Sequence, residues 1–515
     1  MDFYKKRKFW KRALWVTFLV PVVLFAIISA IVVFKKDAII QELIDKANED
    51  FIGEVVIEKT SISPFENFPY ISIDLQGFKV FETKNKVKPP IIDLQDVYIG
   101  FDFWTVVNGK FDIKTIKLNE GSLDIVQDLE GNFNIVKAFE PQKEIDDVSE
   151  EFHLDLQKIQ LVNVDFNKTN LADSIKIDAF FTKAETRFKS TDKYIEMGLD
   201  SDFIFNIIHK NDTTFVKNKH FDVHTTFKFD KENHLIDFSP SEIVFENGLF
   251  GMEGTIDFDD DFNMDLKFFG KKPNFDLLIA FVPEELKETL KAYENQGEIY
   301  FDALVKGKSA HGNNPLVEAK FGCKDGYFDN TENRQKLDNM FFNAFYTNGS
   351  ERNLTTSEFQ LLNFSAKPEA GIFKGNLVVK NFESPDINLQ LNSDFDLEFL
   401  TKFFNLKDLS NLTGKVALTM NFHDIIDLQN PEKSLEQFNQ AYDSELLITN
   451  LNFKSDSYHL PIKNLNLKAR MDGNDILMDY FNMKIGSSDI AMEGNIRNIP
   501  AVIHKTNDEI RAKLN

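Results

Sequence analysis

Three short stretches of this 515-residue chain hold residue types that can do chemistry. Gly307-Lys308-Ser309 matches the end of a phosphate-cradling loop, in which glycine lets backbone N–H groups approach, lysine pairs with phosphate charge and a hydroxyl meets magnesium. The loop needs an earlier glycine where this chain has Asp302, and the tripeptide ends a strand pattern, so a strand end explains it. His220 and His224 share a strand face with Asp222 between them and offer imidazole and carboxylate to a metal ion. No HExxH pattern or third nearby ligand completes a site, so solvated strand residues are the expectation. Asp128 and Glu130 precede Gly131, but a calcium loop needs glycine at its sixth position and here it is fourth; a hairpin turn accounts for the run. The remaining acids form no pair that stands out for acid–base work. We therefore expect no catalytic residue, no cofactor and no metal site, and read the chain as non-enzymatic.

The elements around these residues must then carry the function. The net charge of −23 is unevenly spread: residues 1–36 carry +7, which leaves −30 for the rest. An acidic body without a basic, aromatic-laced stripe excludes nucleic acid as a partner. The single cysteine, Cys323, rules out an internal disulfide framework, while phenylalanine is abundant at 53 residues, so apolar surface must find cover.

Ala13 to Phe34 runs without a charge, long enough at ~1.5 Å per residue to cross a ~30 Å hydrocarbon core. Six basic residues precede it and Lys35-Lys36 follow, so an uncleaved single-pass anchor with a cytoplasmic N-terminus is expected. Ile39, Ile40, Leu43, Ile44, Ala47 and Phe51 then predict an amphipathic helix.

Beyond it the hydrophobic period becomes two. Alternation in Val97, Ile99, Phe101, Phe103, in Phe221 to Phe229, in Ile299 to Val305 and in Val416 to Phe422 predicts strands with one apolar face. Turn signals such as Asn247-Gly248 and Asn348-Gly349 favour antiparallel hairpins. Landmarks return at roughly 120 residues: Gly254, Gly375 and Gly494; Phe275-Asp276-Leu277 and Phe395-Asp396-Leu397, each opening a short helix; and Gly297 and Gly414, each starting a strand. Asn507 to Leu514 reads as a further helix. A mainly β fold with few helices follows: an elongated, curled antiparallel sheet whose inner face is an apolar groove. Exposed, such a face costs ~25 cal/mol per Å², so acyl chains suit it. The candidate lining is Phe101, Phe103, Phe227, Phe229, Phe301, Val305, Leu418, Met420 and Phe422. A closed core of the same residues is the alternative left open by the pattern.

Residues 51–139 resemble the N-terminal portion of the AsmA family. The likeness lies in Ile52-Gly53-Glu54-Val55-Val56-Ile57, in Ser63 to Leu75, in Ile92 to Ile99, in the hairpin Asn108 to Ile125 and in Asp128-Leu129-Glu130-Gly131-Asn132-Phe133-Asn134. The resemblance implies an inner-membrane protein with a periplasmic β-groove body, active in phospholipid transport and outer-membrane biogenesis, without catalytic residues. Together with the charge, hydropathy and repeat patterns it divides the chain into a basic tail 1–12, an anchor 13–34, an AsmA-like β region 37–139, an acidic linker or loop 140–151 and a repeating groove region 152–515, with landmarks at 250–375 and 372–494. Phospholipid acyl chains, the inner membrane and other envelope proteins are the partners implied. A scaffold that regulates outer-membrane protein assembly or targeting to the membrane is the second expectation, and an envelope hydrolase, the third, stands only if a catalytic cluster comes together in space.

Overall fold

The computed structural model describes residues 45, 48–63, 70–102, 113–141, 156–171, 175–209, 212–213, 216–282, 287, 290–309, 313–404, 409–425, 442–455, 458–473, 475–498 and 509–515. The expected anchor 13–34, Phe103 and most of the acidic linker lie outside them. Of the expected amphipathic helix, residues 45 and 48–50 are described and are helical. Among the described residues no helix is long and apolar enough to cross a membrane. The fold is mainly β, and the chain forms two compact units, 1–246 and 247–515.

In the first unit β1 (Glu54–Val56) and β2 (Lys59–Ser63) both pair with β3 (Ile71–Phe81), followed by β4 (Ile92–Phe101) and β5 (Ile113–Gln127). A short helix, α1 (Asn134–Ala138), leads towards β6 (Lys158–Asn170), which lies parallel to β5. This one parallel pair departs from the antiparallel expectation, because the connection is long enough for the crossover that a parallel pair requires. Then β7 (Ile175–Ser190), β8 (Tyr194–His209), β10 (Lys219–Asp230) and β11 (Leu235–Phe245) follow antiparallel, with the two-residue β9 (Asp212–Thr213) on β8. Ile73, Leu75, Leu94, Val97, Phe101 and Val164 form a buried core cluster at the β3–β6 end. Full burial of each such side chain is worth ~1.5–3 kcal/mol.

The second unit is an antiparallel meander with helices interposed. Its strands are β12 (Gly248–Asp257), β13 (Asn263–Gly270), β14 (Tyr293–Gly307), β15 (Leu316–Asn330), β16 (Gln335–Thr347) and β17 (Glu358–Lys367), then β18 (Gly371–Lys380), β19 (Asp386–Asp396), β20 (Leu409–Ile425), β21 (Tyr442–Ser455), β22 (Tyr458–Asp472) and β23 (Asp475–Ile485). The pair β24 (Ser488–Arg497) and β25 (Arg511–Leu514) follows. Helix α2 (Asp276–Ile279) stands between β13 and β14, and α3 (Leu397–Phe403) between β19 and β20. The order of two strands, a helix and four strands thus occurs twice, and its first two strands a third time. Both helices begin where the Phe-Asp-Leu tripeptides predict.

Gly297 and Gly414 lie at register shifts within β14 and β20. A Cβ on Gly297 would stand 2.9 Å from Gly326 Cα, and one on Gly414 2.7 Å from Leu451 Cα. Close approach of adjacent backbones is what the two glycines permit.

The predicted helix at 507–514 is instead β25 where it is described, with Gly494 opposite Leu514. An open strand edge offers unpaired N–H and C=O groups, and pairing with them outweighs the weak helical preference of four exposed residues.

Curl enters through bulges. Asn363, Asn450 and Asn464 take left-handed conformations inside strands, with φ of 55°, 50° and 53°. Each displaced N–H is satisfied by a neighbouring asparagine: Asn363 N–H donates to Asn376 Oδ1 at 2.7 Å, Asn450 N–H to Asn466 Oδ1 at 2.9 Å and Asn464 N–H to Asn452 Oδ1 at 2.9 Å. An extra residue bends its strand and increases twist, and asparagine tolerates the αL region.

Candidate functional site

The strand register carries apolar residues from one strand to the next, so each unit presents a continuous apolar face. In the first unit Leu75, Val97, Leu118, Leu161 and Ala184 stand opposite one another in sequence. Further along, Phe181, Phe203, Phe221 and Phe245 form a row of rings with centroids 5.0, 5.3 and 4.6 Å apart. Phe101 belongs to the closed end and is 5% exposed, so it offers no surface to a ligand. Phe227 and Phe229 are half-buried, Phe227 against Phe238 at 5.3 Å and Phe229 stacked on His234 at 6.2 Å.

In the second unit Val305, Val317 and Phe301, Phe321 are cross-strand pairs on one apolar face. Leu389 with Phe422, Leu391 with Met420 and Ser393 with Leu418 continue it. Phe301, Val305, Leu418, Met420 and Phe422 are all half-buried. Two packed sheets would bury such residues almost completely. Among the described residues, the candidate positions outside the Phe101 cluster keep part of their surface open.

Helices α2 and α3 cover one margin of this second face. Phe275, Leu277, Ala280, Phe399 and Phe403 are 0–5% exposed. Phe281 stacks on Phe301 at 5.4 Å and marks where cover ends. Asn330 Nδ2 donates to the carbonyls of Phe403 at 2.9 Å and Lys402 at 3.2 Å, and the Tyr293 hydroxyl also donates to Phe403 O. These bonds satisfy carbonyls that a helix end otherwise leaves unpaired. Burial raises the Tyr293 phenol above its ordinary pKa.

The chemically suggestive stretches fall elsewhere. Lys308 pairs with Asp260 at 2.5 Å and Asp261 at 3.3 Å, so its charge is held in an acidic turn. His224 Nδ1 lies 2.9 Å from Asp200 and its Nε2 3.2 Å from Asp222, while His220 Nε2 lies 3.2 Å from Asp202. Arg187 also reaches Asp200 at 3.2 Å and Glu185 at 2.5 Å. These side chains form an ion-pair network on the polar face. The Asp200 hydrogen bond raises the His224 pKa, and that same bond lowers that of Asp200. Among the described residues no group of three His, Cys, Asp or Glu could hold a metal ion. Asp128 accepts from the N–H groups of Glu130 at 3.0 Å and Asn132 at 2.9 Å and pairs with Lys137. Lys137, then the backbone donors, bring its pKa down to about 2, and the turn is self-contained.

Comparison with family models, curated proteins and solved structures gives no match. Geometry therefore carries the functional reading. Residues that the sequence pattern did not single out are the asparagines of the bulges, Asn330, and the aromatics Tyr300 and Phe341. The last two are 41% and 38% exposed and line a hollow of about 580 Å³ with Asn343 and Lys324. The adjacent Phe341-Phe342 pair, which breaks strict alternation, is the one sequence signal for it.

Proposed function

We propose that this chain is an inner-membrane-anchored envelope protein of the AsmA-like type, whose curled β body lies in the periplasm. It binds phospholipid acyl chains along its apolar faces and supports lipid transport to, and biogenesis of, the outer membrane. The observation that carries this reading is the half-open apolar face, continued in register through each unit. Strand backbone groups on this face are already paired in the sheet, so an occupant finds little to hydrogen-bond. A polypeptide laid there would leave its own N–H and C=O groups unsatisfied, whereas an acyl chain has none. Affinity then follows apolar area rather than headgroup contacts.

A photo-crosslinking amino acid placed at Phe227, Phe301 or Leu418 tests it. Lipid adducts support the proposal; no lipid adduct at any of the three, with polypeptide adducts from a crosslinker at Tyr300 or Phe341, would favour the scaffold role. That second reading draws on the exposed Tyr300 and Phe341 of the polar face, aromatic surface of the kind enriched at protein interfaces.

A further inference from the structure

In the second unit, cover over the apolar face is one-sided. At the helix side, Ile299, Cys323, Met340, Ala366, Ser393 and Val416 are 1–8% exposed. At the other ends of the same strands, Val305, Val317, Tyr346, Leu389 and Phe422 are half-buried. The gradient occurs beside both helices, on β14, β15 and β16 near α2 and on β19 and β20 near α3, so it does not belong to one loop. Helix packing causes it: Phe275 rests on Gly297 and Gly326, Leu277 on Gly270, and Phe399 and Phe403 pack with Tyr293. The open part is three side chains wide on β14, from Phe301 to Val305, or ~14 Å along the strand.

We infer that a lipid held by this unit lies with its headgroup at the helix-free margin and its acyl chains towards the helices. The inference rests on the acyl-chain reading above and adds an orientation to it. A headgroup at the helix side would have to enter among the buried Phe275, Phe399 and Phe403 of α2 and α3, losing its water to side chains that offer no hydrogen bond in return. At the opposite margin the strands end in turns with exposed Ser350, Glu351, Asn353, Thr355 and Glu383, where a headgroup stays hydrated. The turns at 331–334 and 369–370 are polar too, but α3 is tied between them and the open strip through Asn330. The helices therefore set the direction in which a lipid beside them faces.

The test uses the purified full-length chain and two photoactivatable phosphatidylethanolamines, one with a diazirine on the headgroup amine and one with it at the acyl terminus. Adducts are mapped by peptide mass spectrometry. The headgroup probe should mark 348–357 and 381–385 about tenfold more than 331–334 and 369–370, a ratio that one misplaced polar group readily produces. Equal marking of the two margins, or a preference for the helix side, overturns the orientation. The acyl-terminal probe should mark Phe301 and 416–418 more than Val305 and Phe422; if it marks nowhere in 301–305 or 416–422, the acyl-chain reading itself fails, whatever the headgroup probe shows.

Discussion

The tie between α3 and the preceding strands gives a quantitative test of how the second unit is held together. Phe403 O receives two donors, the Tyr293 hydroxyl and Asn330 Nδ2 at 2.9 Å, while Asn330 also reaches Lys402 O at 3.2 Å. Tyr293→Phe removes one donor but leaves Phe403 O partnered, so it should cost only about 0.5–1.5 kcal/mol. Asn330→Ala removes the bonds to both carbonyls and the acceptor for Asn333 N–H, and should cost about 2–3 kcal/mol. In the double variant Phe403 O loses both donors beside residues that are themselves 5–9% exposed or less. The added desolvation penalty of about 1–2 kcal/mol makes the double variant worse than the sum of the singles. Thermal melts followed by circular dichroism should show this as an excess loss of roughly 2–6 °C. Strict additivity would count against the shared tie, because it would mean that the two donors do not meet at one buried acceptor.

Gly254 has φ of +135° and its missing Cβ would run into the carbonyl of Asp265, so Gly254→Ala should destabilise by about 2 kcal/mol or more in a denaturant titration. His224, raised by its bond to Asp200, contributes stability that is full below its ordinary pKa of 6.5 and fades as pH climbs through the raised folded value. Asp200, lowered, contributes stability that is full above 3.8 and lost as pH falls through its folded value. The melting-temperature gap between the native chain and His224→Asn should therefore be widest between those two pH values and narrow on the alkaline side; a gap that widens with rising pH contradicts the assignment. The Cys323 thiol is buried, and desolvation pushes its pKa up to about 11 from 9.0. At pH 8 its thiolate population is lower by about 100-fold, so maleimide labelling of the folded chain should be at least that much slower than in denaturant.

The strands were legible because a period of two with phenylalanine on one face has few other readings. In β14, for example, Ile299, Phe301, Ala303 and Val305 alternate without a break. The helices were legible in their starting tripeptides, since a short apolar run after Phe-Asp-Leu departs from alternation. Three features were not. The parallel β5–β6 pair depends on where a long connection returns, which no local pattern records. The strand at Arg511–Leu514 is held by a partner, not by its own propensity. Phe101 shares its alternation with open-face residues, and its burial comes with the cluster of Ile73, Leu75, Leu94, Val97 and Val164 to which it belongs, which no local pattern records. The bulges were readable in principle, because asparagines inside an apolar alternation mark one that turns left-handed, as at Asn450 and Asn464, or one that accepts the displaced N–H, as at Asn466 and Asn452.

Whether the half-open apolar face is a lipid surface is measured most directly by lipid co-purification. Phe227→Asp and Leu418→Asp place a carboxylate on the face of one unit each, at positions exposed enough for the fold to survive, while Tyr300→Asp places one on the opposite face. With equal amounts of folded protein, mass spectrometry should find bound phospholipid reduced in each of the first two, which leave the other unit's face intact, reduced about tenfold or more when the two substitutions are combined, given the cost of burying a charge against acyl chains, and unchanged in the third. Undiminished lipid in Phe227→Asp and Leu418→Asp would mean that acyl chains do not lie on this face.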